Sequence, residues 1–403
     1  MIESVSIEQS RAVLLVRKPY ISKGLVIYMN SVIFGQGYVA SILNVGLQRI
    51  KDGEIGLEGI PLGNSISKTM EDIKIVGAFD LDKKKIGKNL GEVTKDYWDG
   101  NIKFDDDYII EEGYRDNRER GNIDLEGELE RLTDIYKRKD AEIFVNTITT
   151  ESFEPFAEEK EFLRRIKEND FKRISPVQFY FYSVMEYDRP SVFINCIPTM
   201  IANDPAMVKM AEEREKVIFG DDGATGATPL TTDILEHLKE RRRKIMSICQ
   251  FNIGGNNDFL SLTEPERNIS KERTKAGVVK DILGYEVPTY IKPTGYLEPL
   301  GDNKFVSMLI PYVSFNEAID EITVNMRVND SPALAGNIVD LIRLGEICLE
   351  RGEYGAIYPI NAFYMKMPGP IEKAAIAKIK AFELLEEWLF EGDNISGGER
   401  KET

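Results

Sequence analysis

The chain has 403 residues, and its 42% hydrophobic composition is enough for two or three domains with substantial cores. Its 52 basic and 68 acidic residues give a net charge of −16, which repels nucleic acid and anionic membrane surfaces and argues against both as partners. No apolar run approaches the roughly 18 to 20 residues of a membrane span, and the first residues lack the pattern of a signal peptide.

The first half of the chain alternates short apolar runs with longer amphipathic ones from about residue 24. This alternation predicts strands and helices in turn around a mostly parallel sheet. Four buried strands are expected in GLVIYMNSVIFGQG, IKIVGAFD, AEIFVNTI and PSVFINCI, and helices in YVASILNVGLQRI, LEGELERLTDIYKR and AEEKEFLRRIKEN. Residues 51–70, rich in glycine, and residues 96–120, rich in charge, interrupt the pattern, and we expect both to be surface insertions.

The second half begins with a different pattern after about residue 245. The stretches KIMSICQFNIGG, KFVSMLIPYV and DEITVNMRVND are β-prone without a helix between each pair, which indicates an α+β unit with an antiparallel or mixed sheet. Helices are then expected over SPALAGNIVDLIRLGEICLERG and IEKAAIAKIKAFELLEEWLF, packed back on the first unit. The predicted boundaries are therefore residues 1–245 for the first part of an α/β domain, 246–330 for an inserted α+β domain, and 331–403 for the returning helices.

The turn FGQGYVAS follows a predicted strand and opens a predicted helix, as a dinucleotide fingerprint requires. Gly35 permits a tight turn, Gly37 allows backbone amides to approach a pyrophosphate, and Ala40 allows close helix packing. The helix N-terminus adds partial positive charge. Asp80, at the end of the second strand, could accept hydrogen bonds from the adenosine ribose, which favours NAD over NADP. The alternative for Asp80 is a plain carboxylate at a strand end.

Two polar loops are candidate ligand-binding segments. FGDDGATGAT offers Asp221 and Thr225 before a helix, where backbone amides and hydroxyls suit an anion and carboxylates suit a cation. A capped turn is the alternative. FNIGGNNDF gathers short polar side chains around two glycines directly after an apolar run, which favours a pocket over a solvated turn. Its polar residues are Asn252, Asn256, Asn257 and Asp258.

Four lysines are candidates for the chemistry. Lys271 and Lys275 in SKERTK would project from one helix face one turn apart. Lys304 in GDNK and Lys366 in FYMKMPG complete the set, although any one lysine is most often a solvated surface residue. Lys366 is the only charged residue between Ile360 and Glu372. In such a setting lost hydration and like-charged neighbours lower the pKa of a lysine, which then exchanges protons near neutral pH.

Cysteine and histidine usage restricts the chemistry further. Cys196, Cys249 and Cys348 are few, odd in number and set in apolar surroundings, which predicts reduced thiols and a cytoplasmic location. The single histidine, His237, falls on a predicted helix face, which leaves no basis for histidine catalysis or a zinc site.

Six separated motifs together resemble the myo-inositol-1-phosphate synthase family, especially its shorter archaeal and bacterial-type members. FGDDGATGAT, FNIGGNNDF, SKERTK, GDNK, NDSPALAG and FYMKMPG occur in the order and spacing of that family, from Ser31 to about Trp388. The resemblance implies a Rossmann NAD-binding domain interrupted by an α+β catalytic and oligomerisation domain, usually assembled as a homotetramer. It implies a cytoplasmic enzyme with a sugar phosphate as its small-molecule partner, no nucleic acid and no membrane.

The resemblance also assigns roles to single residues. It implies catalytic lysines at Lys271, Lys275, Lys304 and Lys366. It implies substrate binding by Asn252, Asn256, Asn257 and Asp258. It implies cofactor contacts at Gly35, Gln36, Gly37, Tyr38, Asp80, Asn146, Asp221, Thr225 and Asp330. A mono- or divalent cation near the carboxylates is left open.

The implied reaction converts glucose 6-phosphate into inositol 1-phosphate. Hydride leaves C5 to NAD, a proton leaves C6, the ring closes by attack on the C1 aldehyde, and the hydride returns. Lys271 with Lys366 is expected to take the C5 hydroxyl proton, and Lys304 with Lys275 to hold the phosphate and polarise the aldehyde. Two alternatives stay open: an NAD-dependent epimerase or dehydrogenase acting on another sugar phosphate, and a non-catalytic paralogue that binds NAD or a sugar phosphate.

Overall fold

The fold consists of two sheets with helices packed around them, and the computed structural model describes residues 28–114, 124–256, 259–260 and 278–395. The first elements are β1 (Met29–Phe34), α1 (Tyr38–Lys51), β2 (Ile73–Asp80), α2 (Leu90–Thr94), β3 (Ile110–Glu112), α3 (Leu125–Arg138), β4 (Ile143–Asn146), α4 (Glu159–Lys167), α5 (Pro176–Met185), β5 (Val192–Asn195), α6 (Pro205–Glu213), β6 (Val217–Phe219) and α7 (Thr228–Glu240). The remaining elements are β7 (Lys244–Ile245), β8 (Ile248–Gly254), β9 (Thr289–Tyr296), β10 (Asn303–Val313), β11 (Ile319–Asn329), α8 (Asp330–Arg351), β12 (Gly355–Ala356), α9 (Tyr358–Tyr364) and α10 (Lys378–Ile395).

The larger sheet is parallel throughout and has the order β3-β2-β1-β4-β5-β6-β12. Six of its strands reproduce the doubly wound dinucleotide-binding order 3-2-1-4-5-6. The strand order reverses between β1 and β4, so the loops that follow these two strands part and leave a crevice at the carboxyl edge. The fold class predicted from the alternating pattern, a Rossmann domain with an α+β insertion, is confirmed.

Each face of the parallel sheet is covered by its own apolar cluster. On one face, residues of α1 and α8 such as Leu43 and Leu341 pack against β1 residues such as Ile33. On the other face the cluster is rich in aromatic rings, and Phe34 stacks on Tyr180 of α5 with ring centroids 4.1 Å apart. Burial on both faces explains why these strands read as continuous apolar runs.

The smaller sheet is mixed and has one covered face. Its order is β11-β10-β8-β9, with β7 added to β10; β8 and β9 run parallel and the other pairs antiparallel. Inward residues such as Ile248 and Met308 pack on α7 residues such as Leu238. The opposite face exposes Phe251 and Phe305, which are 45% and 39% accessible.

The chain returns to the parallel sheet through α8. This helix packs on α1 and across β1, β4, β5 and β6, and β12 then adds a seventh strand beside β6. The expected return of the last helices is therefore observed, and the added strand was not anticipated. The helix predicted over residues 371–390 begins only at Lys378, because residues 371–377 form an irregular segment whose Ala375 N–H donates to Asp281 Oδ2 at 3.2 Å.

The glycine-rich segment 51–70 is not simply a surface insertion, which corrects the sequence interpretation. Asp340 Oδ2 of α8 accepts a hydrogen bond from the Leu62 N–H at 2.8 Å, and Arg343 donates to the Gly63 carbonyl at 2.7 Å. A Cβ on Gly336 would lie 2.1 Å from the Gly59 carbonyl oxygen, so the helix needs a glycine where this segment crosses it. The buried Asp340–Arg343 pair, 2.9 Å apart, ties the segment to the helix.

The charged segment 96–120 was also misassigned as an insertion. Its residues Ile110–Glu112 form β3, the edge strand beside β2, and Phe104 and Tyr108 are buried. Three-residue strands such as β3 and β6 are too short to show a period of two, so their partners in the sheet rather than their own sequences define them. Across the described ranges, no helix is both long and apolar enough to span a membrane.

Candidate active site

Two of the sequence motifs meet along a short antiparallel pairing. Asp221 and Met367 exchange backbone hydrogen bonds of 2.7 and 3.0 Å, and the Ala224 N–H donates to the Tyr364 carbonyl at 2.8 Å. The loop after β6 and the segment after α9 are therefore fixed edge to edge. This pairing brings FGDDGATGAT and FYMKMPG together, although many residues separate them along the chain.

Lys366 and Asp222 form an ion pair at this junction. The Lys366 Nζ lies 2.9 Å from Asp222 Oδ1, and both side chains are largely buried. Asp222 has φ +60, in the left-handed region that residues other than glycine rarely adopt, a form of backbone strain that clusters at functional sites. The pair borders a cavity of about 30 Å³, which suits one ordered water. The cavity is lined by Asp222, Thr228, Thr231, Thr232, Leu235, Gln250, Val278, Val279, Ile291 and Lys366.

Lys304 of β10 and Asp330 of α8 form a second ion pair, which lies next to Gly226 of the same loop. The Lys304 Nζ lies 3.4 Å from Asp330 Oδ2, and Oδ1 of Asp330 is buried without a hydrogen-bond partner in the described part of the chain. Gly226 has φ +67, and a Cβ there would lie 3.0 Å from Lys304 Nζ and 3.1 Å from Asp330 Oδ1. Both described lysines of the predicted set therefore contact one loop, Lys366 at residue 222 and Lys304 at residue 226.

Asp302 fixes the start of α8, where Asp330 lies. Its carboxylate accepts hydrogen bonds from the Ser331 N–H at 3.0 Å, from the Ser331 hydroxyl at 2.7 Å and from the Asn256 amide at 3.3 Å. Burial raises the pKa of Asp302, and the hydrogen bonds from Ser331 oppose this shift. Asn256 was predicted to bind substrate; in the structure its amide holds Asp302 and accepts from the Phe259 N–H at 3.1 Å.

Asn252 lies on the inward face of β8 and is only 1% exposed. Its amide donates to the Lys292 carbonyl at 2.8 Å and accepts from Gln250 at 2.9 Å, so both of its polar atoms are engaged within the sheet. The structure thus gives Asn252 a bridging position between β8 and β9 rather than an open one. Gln250, which the sequence analysis passed over, is the residue of this strand that lines the cavity.

Asp221 was expected to contact the cofactor, and this stays a prediction; the structure shows that its side chain is enclosed by the protein. Its side chain is 0% exposed, and its two oxygens accept hydrogen bonds from five N–H groups of Asn195, Ile201, Ala202 and Asn203. Burial raises the pKa of Asp221 to about 6, against the lowering effect of these hydrogen bonds. The carboxylate faces the interior and leaves no surface for a ligand. Its neighbour Asp222 is the aspartate that reaches the cavity.

The turn after β1 has the shape that a dinucleotide requires. Gly35 has φ +95, and a Cβ on it would lie 2.9 Å from the Ile148 backbone, so only glycine fits. At Gly37, the N-cap of α1, a Cβ would meet nothing within 4 Å, and no side chain caps the helix. The open N–H groups at this helix start suit a pyrophosphate. The geometry of this turn agrees with the fingerprint read from FGQGYVAS.

The Gln36 side chain points inward. It is 0% exposed, accepts from the Tyr108 hydroxyl at 2.9 Å and donates to the Ser41 hydroxyl at 3.3 Å. These hydrogen bonds hold the turn in place, and the cofactor contact expected at Gln36 stays a prediction. Its neighbour Tyr38 is 40% exposed and contacts Tyr97 edge to face at 5.7 Å, so it lies at the surface of the crevice.

Asp80 and Asn146 lie at the carboxyl ends of β2 and β4, where a dinucleotide would cross the sheet. Asp80 accepts from Lys85 Nζ at 3.2 Å, and the same ammonium donates to the Gln36 carbonyl at 3.0 Å. Asn146 donates to Asn195 at 2.8 Å, while its Oδ1 is buried without a partner within the described residues. An orphaned acceptor at the switch point fits a ligand with donor groups.

A second cavity, of about 520 Å³, lies between α1 and the segment that precedes Lys304. Its walls include Tyr38 and Arg49 of α1, and also Asp302, Asn303 and Asn329, of which the last two directly precede Lys304 and Asp330. A volume of this size lies within the range of small-molecule sites. Among the described residues, its lining includes none from the loop after β6.

Several predicted residues are not tested by this geometry. Lys271, Lys275, Asn257 and Asp258 lie outside the described residues. Thr225 is 9% exposed, and its role stays a prediction. Within the described ranges, no group of three or more His, Cys, Asp and Glu side chains could hold a metal ion. The sequence analysis did not choose Asp222 or Asp302 as site residues. Each lies within two positions of the residue that it chose instead, Asp221 and Lys304 respectively.

Comparisons with known proteins agree with the motifs. A family model described as myo-inositol-1-phosphate synthase matches residues 226–331. The inositol-3-phosphate synthase of Mycobacterium tuberculosis is 28% identical over 312 residues, covering 74% of this chain and 79% of that protein. A crystal structure of a myo-inositol-1-phosphate synthase-related protein from Thermotoga maritima is 48% identical, with a TM-score of 0.86 over 90% of this chain and 98% of that one.

A more distant structure supports the fold alone. The inositol-3-phosphate synthase of Caenorhabditis elegans is 18% identical and superposes with a TM-score of 0.72, over 90% of this chain and 85% of that one. The parallel sheet and its insertion are therefore shared well beyond close sequence similarity.

Proposed function

Because this chain belongs to the myo-inositol-1-phosphate synthase family, we propose that it is an isomerase that converts D-glucose 6-phosphate into 1L-myo-inositol 1-phosphate with NAD. The observation that carries the proposal is that two ion pairs lie against one loop: Lys366 pairs with Asp222 of that loop, and Lys304 pairs with Asp330 next to Gly226. Two ammonium groups placed in this way suit an anionic substrate that must lose protons.

NAD would be held by the groups at the carboxyl edge of the parallel sheet. Gly35 and Gly37 leave room for its pyrophosphate at the start of α1, and Asp80 suits the ribose hydroxyls. Asn146 offers an unpartnered acceptor, and Asp330 lies beside Lys304 at the far end. The bound cofactor supplies a hydride acceptor that becomes the donor again, so the reaction needs no second substrate.

The described lysines would act on the substrate's oxygens. The Lys366 amine would accept the C5 hydroxyl proton, and Asp222 would stabilise the ammonium that results. Lys304 would bind the phosphate or polarise the aldehyde oxygen, with Asp330 orienting its Nζ. When negative charge develops on the C5 oxygen during enolisation, an ammonium in a site closed to water stabilises it more strongly than water does. Lys271 and Lys275 are proposed to share these roles.

The exposed face of the smaller sheet supports assembly as a homotetramer. Phe251, Phe305 and Leu309 lie on one face of β8 and β10, with Tyr290 of β9 beside them and Ile319 near the sheet end, 66% exposed. Monomers rarely expose a contiguous apolar face of this kind. A second copy of the chain is the proposed cover, because the face then becomes the core of a subunit interface.

The chain's thiols support a cytoplasmic location. Cys196, Cys249 and Cys348 are free, and none pairs with another. Reduced cysteines are typical of proteins that work in a reducing compartment.

The deciding experiment incubates the purified protein with glucose 6-phosphate and NAD and assays inositol phosphate. Lys366→Met and Lys304→Met are each expected to lower kcat by about a hundredfold or more, because each removes a charge that stabilises the transition state. Lys209→Met is the matched control, since Lys209 is exposed and its one ion pair within the described residues is with Glu213 on its own helix.

Other outcomes of this assay identify the alternatives. Net accumulation of NADH without inositol phosphate would indicate a dehydrogenase acting on a sugar phosphate. Tight NAD binding without any turnover would indicate a binding protein. Full activity in both lysine variants would overturn the assigned roles of those residues.

A further inference from the structure

Lys378 is a buried lysine directly beneath the segment that carries Lys366. It is 6% exposed, and its Nζ donates hydrogen bonds to the carbonyl oxygens of Ala362 and Met365, each at 2.5 Å. Ala362 lies in the last turn of α9, and Met365 immediately precedes Lys366. The last carbonyls of a helix lack partners within it, so one ammonium group satisfies two of them.

The opposite edge of this segment is held by backbone hydrogen bonds. The Lys366 N–H donates to the Asp222 carbonyl at 2.6 Å, and the Met367 N–H donates to the Asp221 carbonyl at 3.0 Å. Lys366 is thus fixed on one side by the loop after β6 and on the other by Lys378. Without Lys378, the end of α9 would have two buried carbonyls without a donor.

Satisfying the last carbonyls of a helix with a buried ammonium group is energetically unfavourable compared with other caps. Desolvation of an ion costs several kcal/mol, and a glycine cap or a water would satisfy the same carbonyls. Burial lowers the pKa of Lys378 to about 7, Asp233 acts to raise it, and Lys366 lowers it further. A lysine kept at this position despite the cost fits a role in fixing the end of α9.

We propose that Lys378 is a positioning residue: by binding the carbonyl oxygens of Ala362 and Met365, it holds Lys366 at the cavity and beside Asp222. Its catalytic consequence rests on the function proposed above, in which Lys366 accepts a proton. Among the described residues, the charged groups next to this pair include Asp222 in the loop after β6 and Asp233 on α7.

The test measures the reactivity of Lys366 without using turnover. Trace labelling with acetic anhydride from pH 6 to 10, read by mass spectrometry, gives the pH at which the Lys366 amine becomes half reactive. In Lys378→Met this midpoint is expected to fall by about half a pH unit or more, because the Lys366 ammonium is no longer held beside Asp222, whose carboxylate favours the charged form. Lys380→Met is the matched control: Lys380 is an exposed lysine two residues on, and its loss should leave the midpoint unchanged.

A second variant tests whether hydrogen bonding by residue 378 holds Lys366. Lys378→Gln keeps a hydrogen-bond donor and removes the charge, so it should shift the midpoint less than Lys378→Met does and preserve more of the kcat for glucose 6-phosphate. Lys378→Met should lower kcat about tenfold with little change in KM. If Lys378→Met fails to fold, the Lys378→Gln midpoint decides. A midpoint equal to that of the wild type in the folded variants overturns the proposal, whether or not the wild type makes inositol phosphate.

Discussion

The loop after β6 has an interior side and a cavity side, and two neighbouring aspartates divide them. Asp221 is enclosed by five N–H donors and holds residues 195–203 in place, whereas Asp222 faces outward to the Lys366 ammonium. Both are acidic and adjacent in sequence, yet one should determine stability and the other chemistry. The difference shows that the role of an aspartate in this loop depends on the groups around its carboxylate and not on its residue type.

The largest expected effect is on stability, at the interior side. Asp221→Ala leaves five N–H groups of residues 195–203 without their acceptor, and each stranded buried donor costs about 1 to 3 kcal/mol. The free energy of unfolding should fall by at least about 3 kcal/mol, measured by urea denaturation. Asp222→Ala is the control and should lose far less. Equal losses in the two variants would remove the distinction between the two sides.

The second effect is a pH dependence with a definite sign. The pKa of Asp221 is about 6 in the folded protein and about 3.9 in an unfolded chain, so the folded state binds more protons between these values. The contribution of Asp221 to stability is therefore complete below about pH 4 and is lost as the pH rises to about 6. The stability of the wild type relative to Asp221→Asn should fall across this window by an amount on the order of 2 kcal/mol.

Comparing denaturation curves at pH 4.5, 5.5 and 6.5 checks this sign, because the fixed cost of the amide cancels from the slope. A relative stability that rises with pH would mean that Asp221 is ionised in the folded state at all these pH values.

The third effect is on activity, at the cavity side. Asp222→Asn preserves the shape of the side chain and removes the charge that stabilises the Lys366 ammonium, so kcat should fall about tenfold to a hundredfold. Thermal unfolding should change less than in Asp221→Ala, because the asparagine amide oxygen can still accept a hydrogen bond from Lys366. Unchanged kcat together with a large drop in Tm would show that Asp222 belongs to the interior side instead.

The smallest effect is expected where the loop meets the second ion pair. Gly226→Ala places a methyl group about 3 Å from both Lys304 and Asp330 and strains a backbone with φ +67. Activity should fall about threefold to tenfold through displacement of this pair, measured as kcat/KM. Gly46→Ala is the control, since a Cβ there meets nothing within 4 Å and the position lies within α1.

Much of the fold could be predicted because its main elements have strong internal patterns. β2 and α3 match the predicted stretches IKIVGAFD and LEGELERLTDIYKR residue for residue. The short strands β3, β6 and β12 could not be identified, since two or three residues carry no period and only their neighbours make them strands. The start of α10 was misplaced because contacts to the smaller sheet domain hold residues 371–377 out of a helix.

The site was predictable in its residue types and less so in their orientations. The order of the motifs led to Lys304 and Lys366, and in the structure both lysines lie next to the loop after β6. A sequence does not reveal which of two adjacent aspartates points inward, because that depends on the donors of residues 195–203 across the fold. Lys378 carried no usable signal of its burial, because the exposed Lys380 is also flanked by apolar residues in the same helix.

The late return of β12 to the parallel sheet has a consequence for the newly made protein. Val217 and Ile218 of β6 pair with Gly355 and Ala356 of β12. This edge of β6 therefore stays unpaired during synthesis until Gly355 and Ala356 have left the ribosome. At roughly 5 to 20 residues per second, this delay is on the order of ten seconds. An unpaired apolar strand edge is a template for association with other chains. Chaperone demand during synthesis should therefore concentrate at this edge.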